Sequence, residues 1–321
     1  VSQAVNDKFA TVNPADFGRV AVLMGGRAAE REISLISGKA VLKALLAAGV
    51  DAFAIDAFGP NGDESLIEQL NAQPVDTVFN MVHGGEGENG SIPCLLAAMN
   101  LPVTGSAMAA SALAMNKSQC KFLWQGMALP TAAFRVLTAD SNWQQVCGEL
   151  GLPLMVKPGS EGSSIGMSKV DRAEDLQAAY EEAVQYDQTV IAESWISGGE
   201  YTVGIIKGQA LPGIRLETAR EFYDYQAKYV DDDTQYLIPC GLSAEKEQHM
   251  QALALRAFDS LGCNGWGRVD VMLDETRDEF LVLEANTIPG MTDHSLVPMA
   301  AQAVGLDFPA LTLQILSTAK R

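Results

Sequence analysis

The chain has 321 residues, 48% of them hydrophobic, which exceeds one ordinary domain and is ample for large cores, so two or three domains are expected. Its net charge of −18 excludes broad nucleic-acid binding and attachment to anionic membranes, which need basic patches, so any anionic ligand must meet a local cluster of Lys and Arg. Five scattered cysteines without a CxxC pair, and no apolar run of membrane-spanning length, point to a thiol-bearing cytoplasmic protein.

Residues 1–18 carry Asn, Asp and Pro without periodicity and read as a loose leader. Residues 19–24 read as a short buried strand, followed by a Gly25-Gly26 turn and a helix to about Ala48. Ile33, Ile36, Ala40, Ala44 and Ala48 form the expected buried stripe of that helix, and Gly49 its stop. Strand, glycine turn and helix open an α/β unit, without the GxGxxG of a dinucleotide fold. Glu30 falls where the helix begins, where it serves either the helix dipole or a substrate ammonium.

Further strands over 51–56 and 75–82 lead to His83-Gly84-Gly85-Glu86-Gly87-Glu88-Asn89-Gly90-Ser91. Four glycines in nine residues at a strand's carboxyl end mark a place where open α/β sheets bring backbone to a ligand. His83 is either a satisfied structural histidine or faces that site. Residues 99–105 read as one more strand closing the unit.

A helix over about 115–125 starts a second segment. A strand over 153–158 then carries Lys157 into the loop Gly159-Ser160-Glu161-Gly162-Ser163-Ser164-Ile165-Gly166-Met167. That loop lacks the Gly-Lys-Ser/Thr of a P-loop and suits either a nucleotide lid or an ordinary hairpin turn. An amphipathic helix over 172–186 and a strand over 189–196 follow, and a hairpin over 201–216 turns at Lys207-Gly208. Residues 219–240 show no period but hold four tyrosines and a phenylalanine, which reads as a lid with Lys228 and Tyr229 inside. A helix over 246–261, capped by Ser243, buries Met250, Leu253, Ala254, Ala257, Phe258 and Leu261. A terminal helix is expected near 309–318.

Between these helices, 265–273 and 281–286 alternate as two strands of a hairpin. Arg268 and Asp270 share a face, as do Glu284 and Asn286, and pairing brings Asp270 opposite or diagonal to Glu284. Carboxylates so close raise each other's pKa unless a cation separates them, and hard oxygens of this kind suit Mg²⁺. The alternative is a solvent-facing hairpin with a surface ion pair.

Six motifs in this order are similar to those of the D-alanine–D-alanine ligases: Gly-Gly-x-x-x-Glu-Arg-Glu from Gly25, His-Gly-x-x-Gly-Glu-x-Gly from His83, Val-Lys-Pro-x-x-Glu-Gly-Ser-Ser-x-Gly from Val156, Phe-Tyr-Asp-Tyr-x-Ala-Lys-Tyr from Phe222, Trp-Gly-Arg-x-Asp from Trp266, and Leu-Glu-Ala-Asn-Thr-x-Pro-Gly-Met-Thr from Leu283. The resemblance runs from about residue 19 to the end. It implies an α/β, overall α+β, ATP-grasp fold of three domains: an open parallel-sheet α/β substrate domain at 19–115, a central ATP-grasp lid domain at 116–200, and a C-terminal catalytic domain at 201–321 that includes the lid loop 219–240. The implied reaction phosphorylates one D-alanine with ATP; a second D-alanine attacks the acyl phosphate, giving the dipeptide of peptidoglycan precursors.

By the same resemblance, Glu30 holds the first D-alanine's ammonium, with Ser163 and Tyr229 bonded to that glutamate, and His83 lies near this substrate. Lys117 and Lys157 meet ATP phosphates, and Lys228 the γ-phosphate. Glu193, Ser194, Trp195, Ile196, Glu200 and Phe222 surround the adenosine. Asp270, Glu284 and Asn286 ligate Mg²⁺, two ions, with Mn²⁺ as a substitute; K⁺ activation stays open. Arg268 and the Gly290 N–H stabilise the oxyanion, and Ser295 and Leu296 contact the second substrate's carboxylate. The implied partners are D-alanine, ATP and a second copy in a cytoplasmic homodimer, with no nucleic acid and no membrane. This chain departs from the family at Ser194, often lysine, Asn89, often aspartate, and Ile288, often serine. Tyr229 favours an amine acceptor over the lactate of related D-alanine–D-lactate ligases. A nucleotide-binding regulator without turnover would have lost a metal ligand or the oxyanion arginine, and all four residues are present.

Overall fold

Three sheets carry the chain in a computed structural model that describes residues 9–162, 165–218, 234–292 and 294–319. Strand β1 (Val20–Gly25) is buried along its whole length, as a central parallel strand covered on both faces must be. Strands β2 (Ala52–Ala57) and β3 (Thr77–Asn80) flank it, both parallel to it. Helix α1 (Arg31–Ala47) connects β1 to β2 and buries Ser34, Ser37, Gly38, Val41, Ala44 and Leu45. Of the expected stripe only Ala44 is buried, and Ile36 is exposed. Close approach explains the difference: a Cβ at Gly38 would run into the Met24 side chain, so the helix turns its small residues toward β1.

Short helices α2 (Leu66–Asn71), α3 (Gly85–Glu88), α4 (Ser91–Ala98) and α5 (Met108–Met115) fill the remaining connections. The expected strand over 99–105 is only a single parallel bridge from Val103 to Val78, which leaves this sheet with three strands. Ahead of β1, Pro14–Phe17 form a 3₁₀ turn capped by Asn13.

Helix α6 (Lys117–Gly126) is capped by Asn116, whose side chain accepts the Gln119 N–H. The second sheet comprises β4 (Phe134–Leu137), β5 (Leu154–Pro158), β6 (Ser168–Val170) and β7 (Val190–Ser194), antiparallel in the order β4-β7-β5-β6. Helices α7 (Trp143–Leu150) and α8 (Leu176–Ala183) contribute to its core. The amphipathic helix expected over 172–186 is thus shorter, beginning as a 3₁₀ turn at Ala173–Asp175.

The third sheet contains β8 (Glu200–Ile206), β9 (Gln209–Ala210), β10 (Ile214–Glu217), β11 (Gln235–Leu237), β12 (Trp266–Asp274) and β13 (Glu279–Asn286), in the order β11-β10-β8-β12-β13 with β9 on β8. Helix α9 (Ala244–Ser260) buries the stripe its period predicts and takes Ser243 as its cap. Two helices end the described chain: α10 (Leu296–Ala303), which the sequence reading lacks, and α11 (Phe308–Leu316). They do not cover the third sheet alone. One core joins Val20, Met24, Val41, Leu45 and Phe79 to Trp266, Val297, Leu311 and Ile315, and the Phe79 and Trp266 rings lie 6.4 Å apart. No single helix among the described residues is long and apolar enough to cross a membrane.

Candidate active site

The hairpin of β12 and β13 places Asp270 directly opposite Glu284 and Arg268 opposite Asn286, so four polar side chains share one face. A register shift after Asp270 ends this regular stretch. Asp270 is buried and heavily bonded. Arg268 grips it with a fork, Nε to Oδ1 at 2.8 Å and Nη2 to Oδ2 at 2.7 Å. The Thr202 hydroxyl donates to Oδ1 at 2.6 Å and the Asn286 amide to Oδ2 at 3.1 Å. Across the ladder, Lys117 Nζ stands 3.6 Å from Glu284 Oε2. Each of the two carboxylates is therefore paired with a cation of the protein itself. A surface ion pair is the wrong description, because Asp270 is only 7% exposed.

This face opens into a cavity of about 580 Å³ whose wall is drawn from distant parts of the chain. Glu30 comes from the start of α1, His83 and Glu88 from the glycine-rich loop after β3, and Lys117, Glu161 and Gly162 from the central segment. Arg268, Glu284, Asn286, Gly290, Ser295 and Leu296 complete it. Two glycines make room for the Glu30 carboxylate. A Cβ at Gly84 would lie 2.5 Å from its Oε2, and one at Gly162 2.7 Å from its Oε1. Glu30 caps α1 in position but makes no side-chain cap bond, so it faces the cavity instead of serving its own helix.

His83 is buried against the far side. Its Nδ1 donates to the Ile288 carbonyl at 2.9 Å, and its Nε2 accepts from the Ser37 hydroxyl at 3.1 Å. Burial lowers its pKa to about 4, so the ring is neutral with both nitrogens engaged. Ser295 precedes the first turn of α10. Its hydroxyl accepts the Thr292 N–H at 2.8 Å, and a Cβ at Gly290 would meet it at 2.8 Å.

Next to the cavity, between the second and third sheets, lies a further group of expected residues. Lys157 and Lys121 both reach Glu193, with Lys121 Nζ at 2.8 Å. Burial alone would raise the Glu193 carboxyl, but the two ammoniums outweigh it and hold its pKa at about 2. Two lysines thus share one carboxylate in a dry place, and the same burial lowers the pKa of Lys121. Lys169 Nζ stands 5.0 Å from the Trp195 ring centroid, and Ser194 spends its hydroxyl on the Leu150 carbonyl at 2.8 Å. Ile196 packs with Ala132 and Leu281 as a small apolar wall between the sheets. These residues and Glu200 do not line the 580 Å³ cavity. Ser163, Phe222, Lys228 and Tyr229, with most of the expected lid, lie outside the described residues.

Three side chains here escape the sequence reading. Glu88 stands in the glycine-rich loop, where burial pushes its carboxyl up to about 7 although the Gly84 N–H donates to it at 3.1 Å. Its place beside His83 is a signal that the reading passes over. Lys121 shares a helix with Lys117, one turn on, and only its partner Glu193 gives it away. Ser37 lies one turn on from Ile33 within the expected stripe of α1, where a reading that counts only apolar residues passes over it.

A family model described as the D-ala D-ala ligase C-terminus matches residues 123–317. A D-alanine–D-alanine ligase of Ectopseudomonas mendocina is 53% identical over 307 residues, covering 96% of each chain. The chain belongs to the D-alanine–D-alanine ligase family. One from Nitrosococcus oceani is 54% identical over 302 residues, 94% of each chain. Among solved structures, a Bacillus anthracis D-alanine–D-alanine ligase superposes with a TM-score of 0.83 at 32% identity, covering 94% of this chain and 97% of that one. The D-Ala:D-Ser ligase of Enterococcus faecalis gives 0.82 at 27%, covering 94% and 99%. The three-sheet architecture is accordingly the ATP-grasp fold of these ligases, and the chain is a ligase. Two departures from the family pattern have visible accommodations. Ile288 buries its side chain in the shared core, and Asn89 uses its side-chain oxygen to accept the Ser91 N–H at 3.0 Å.

Proposed function

We propose that this protein joins two D-alanines to D-alanyl-D-alanine with ATP, through a D-alanyl phosphate, for peptidoglycan precursor synthesis. The observation that supports it best is the convergence of Glu30, Lys117, Arg268, Glu284, Gly290 and Ser295 on one cavity. The division of labour follows the segments 19–115 for the first substrate, 116–200 for ATP and 201–321 for catalysis, with a lid at 219–240.

Glu30 binds the donor's ammonium between Gly84 and Gly162, and Ser163 and Tyr229 orient that carboxylate. His83 closes the wall behind. Lys117, Lys157 and Lys228 take the phosphates. The adenosine lies along Glu193, Ser194, Trp195, Ile196, Glu200 and Phe222. Because the Glu193 side chain is held by two lysines, its backbone, not its carboxylate, meets the base. Phosphoryl transfer asks a protein for alignment and charge neutralisation more than for covalent help, and this site supplies both.

The donor set of Asp270, Glu284 and Asn286 fits Mg²⁺ in its chemistry: three oxygen-bearing side chains on one face, two of them carboxylates, for which the metal would compete with Arg268 and Lys117. Those three residues would hold the metal, with Mn²⁺ its substitute, and it would neutralise charge between the phosphates of ATP. Arg268 and the Gly290 N–H then face the oxygen that becomes negative when the second amine attacks. Each such donor is worth about 3–4 kcal/mol in a dry site, which gives the lid its purpose. Ser295, Leu296 and the first turn of α10 take the acceptor's carboxylate, since a helix N-terminus favours an anion.

The test is phosphate release from ATP and Mg²⁺ with D-alanine against L-alanine, repeated with D-serine and D-lactate as acceptors and in sodium against potassium buffer. D-alanine-dependent release is expected, and its absence overturns the proposal. The same reading carries a cytoplasmic homodimer formed through 19–115, which sedimentation checks.

A further inference from the structure

Ser37 touches no ligand-facing surface, yet it connects the first sheet's helix to the turn that follows β13. Its hydroxyl hydrogen goes to His83 Nε2 at 3.1 Å, and its oxygen accepts the Met291 N–H at 3.2 Å. His83 in turn donates from Nδ1 to the Ile288 carbonyl at 2.9 Å. Only one proton arrangement satisfies this chain. A carbonyl can only accept, so Nδ1 carries the ring proton; Nε2 is then bare and must accept from Ser37; the serine oxygen is left to accept from Met291. The two residues so gripped, Ile288 and Met291, flank Pro289 and Gly290.

We propose that Ser37, acting with His83, is a positioning residue that fixes the turn 288–291 from both ends and so aims the Gly290 N–H at the oxyanion. This rests on the proposed assignment of Gly290 and adds how that donor is held. A backbone donor cannot be locked by its own side chain, and glycine has none. Something outside the turn must set its direction, and misplacement by about an ångström can cost 10²-fold in rate. The low pKa of His83 keeps the ring neutral and the proton order intact. Both Ser37 and His83 are buried, which shields the chain of bonds from competing water.

An internal control lies one turn earlier on the same helix. Ser34 is equally buried, accepts the Gly25 N–H at 2.8 Å and donates to the Met81 carbonyl at 2.6 Å. It makes as many bonds but only within the first sheet's own unit. Ser37→Ala and Ser34→Ala would be compared for kcat, ATP affinity, binding of a tetrahedral phosphinate analogue of the dipeptide, and amide exchange at Met291. For Ser37→Ala we expect kcat to fall ten- to a hundredfold, the analogue to weaken by a similar factor, ATP affinity to stay within twofold, and the Met291 amide to exchange faster. For Ser34→Ala we expect lower stability with kcat within threefold. Equal kcat losses in the two variants, or a Ser37→Ala kcat within threefold of the unmodified protein, overturn the inference. Should Ser37→Ala fail to fold, His83→Gln against His83→Leu decides instead: the amide retains a donor and an acceptor and should recover part of the activity that leucine loses, and equal loss is the overturning result. Arg268→Ala separates the two levels. If it turns over normally, the oxyanion reading itself fails; if it is inactive while Ser37→Ala is not, only the positioning role falls.

Discussion

Replacing Glu193 by glutamine removes the one negative charge between two buried ammoniums, and the structure allows its cost to be worked out twice. Glu193 titrates at about 2 in the folded protein, against 4.5 for a free side chain. That difference is worth about 3 kcal/mol at neutral pH. The folded pKa is depressed, so this stabilisation is present above pH 4.5 and disappears as pH falls toward 2. Independently, breaking a buried pair and leaving its partner charged costs about 3–5 kcal/mol. The two routes agree on a loss near 3 kcal/mol, a fall of roughly 6–12 °C in Tm for a domain of ordinary size. Urea and thermal unfolding of Glu193→Gln at pH 7 would measure it, in a double-mutant cycle with Lys121→Met. Methionine removes one of the orphaned charges, so the double variant should be more stable than Glu193→Gln alone. ATP should restore part of the loss by bringing its own anion to Lys157. A loss under about 1 kcal/mol, or a Lys121→Met cost that simply adds to the first, would refute the view of this carboxylate as a buried bridge.

Three further changes probe other levels. Arg268→Ala should lower kcat by about 10²–10³-fold while ATP still binds, and stopped-flow phosphate release with a separate nucleotide titration reads both; normal turnover sinks the oxyanion assignment. Glu88 is raised to about 7 by burial, so its burden on stability is absent below pH 4.5 and grows as pH rises through 7. The ceiling is about 3 kcal/mol, reduced by the 16% of the side chain that stays exposed. Urea midpoints at pH 5 and pH 8 should therefore differ less in Glu88→Gln than in the unmodified protein, and parallel pH dependences would contradict the burial argument. Gly38→Ala should destabilise by about 1–3 kcal/mol through overpacking against Met24; an unchanged Tm would show that α1 can back away from β1 freely.

The hairpin of β12 and β13 was legible from period-2 alternation because one of its faces is apolar throughout. Its register at the site was not: counted from the turn, Asp270 would meet Leu283, and the shift after Asp270 is what sets it opposite Glu284. Helix α9 was legible because its apolar residues recur at helical spacing and Ser243 is a good cap. The face of α1 was not. There the helix packs through Ser34 and Gly38 together with Val41 and Leu45, and a stripe drawn through Ile33, Ile36 and Ala40 turns that face toward solvent. Residues 99–105 carry strand-like composition but form only one bridge, since strand formation depends on a neighbour that a sequence does not display. The motifs expected at the site were visible as patterns of residue type. What held them was not: Lys121 behind Glu193 and Ser37 behind His83 become partners only through contacts between separate segments.

The core shared by the first sheet and the closing helices has a consequence for how the chain acquires its shape. Val20, Met24, Val41 and Phe79 are made long before Trp266, Val297, Leu311 and Ile315, which cover them. During translation the parallel sheet must wait with an apolar side uncovered until α10 and α11 have emerged. Contacts so far apart in sequence slow folding and lengthen the time during which exposed surface invites aggregation. The first sheet is thus sealed by α10 and α11, and Gly290, Ser295 and Leu296 of the cavity wall take their places in the same closing step.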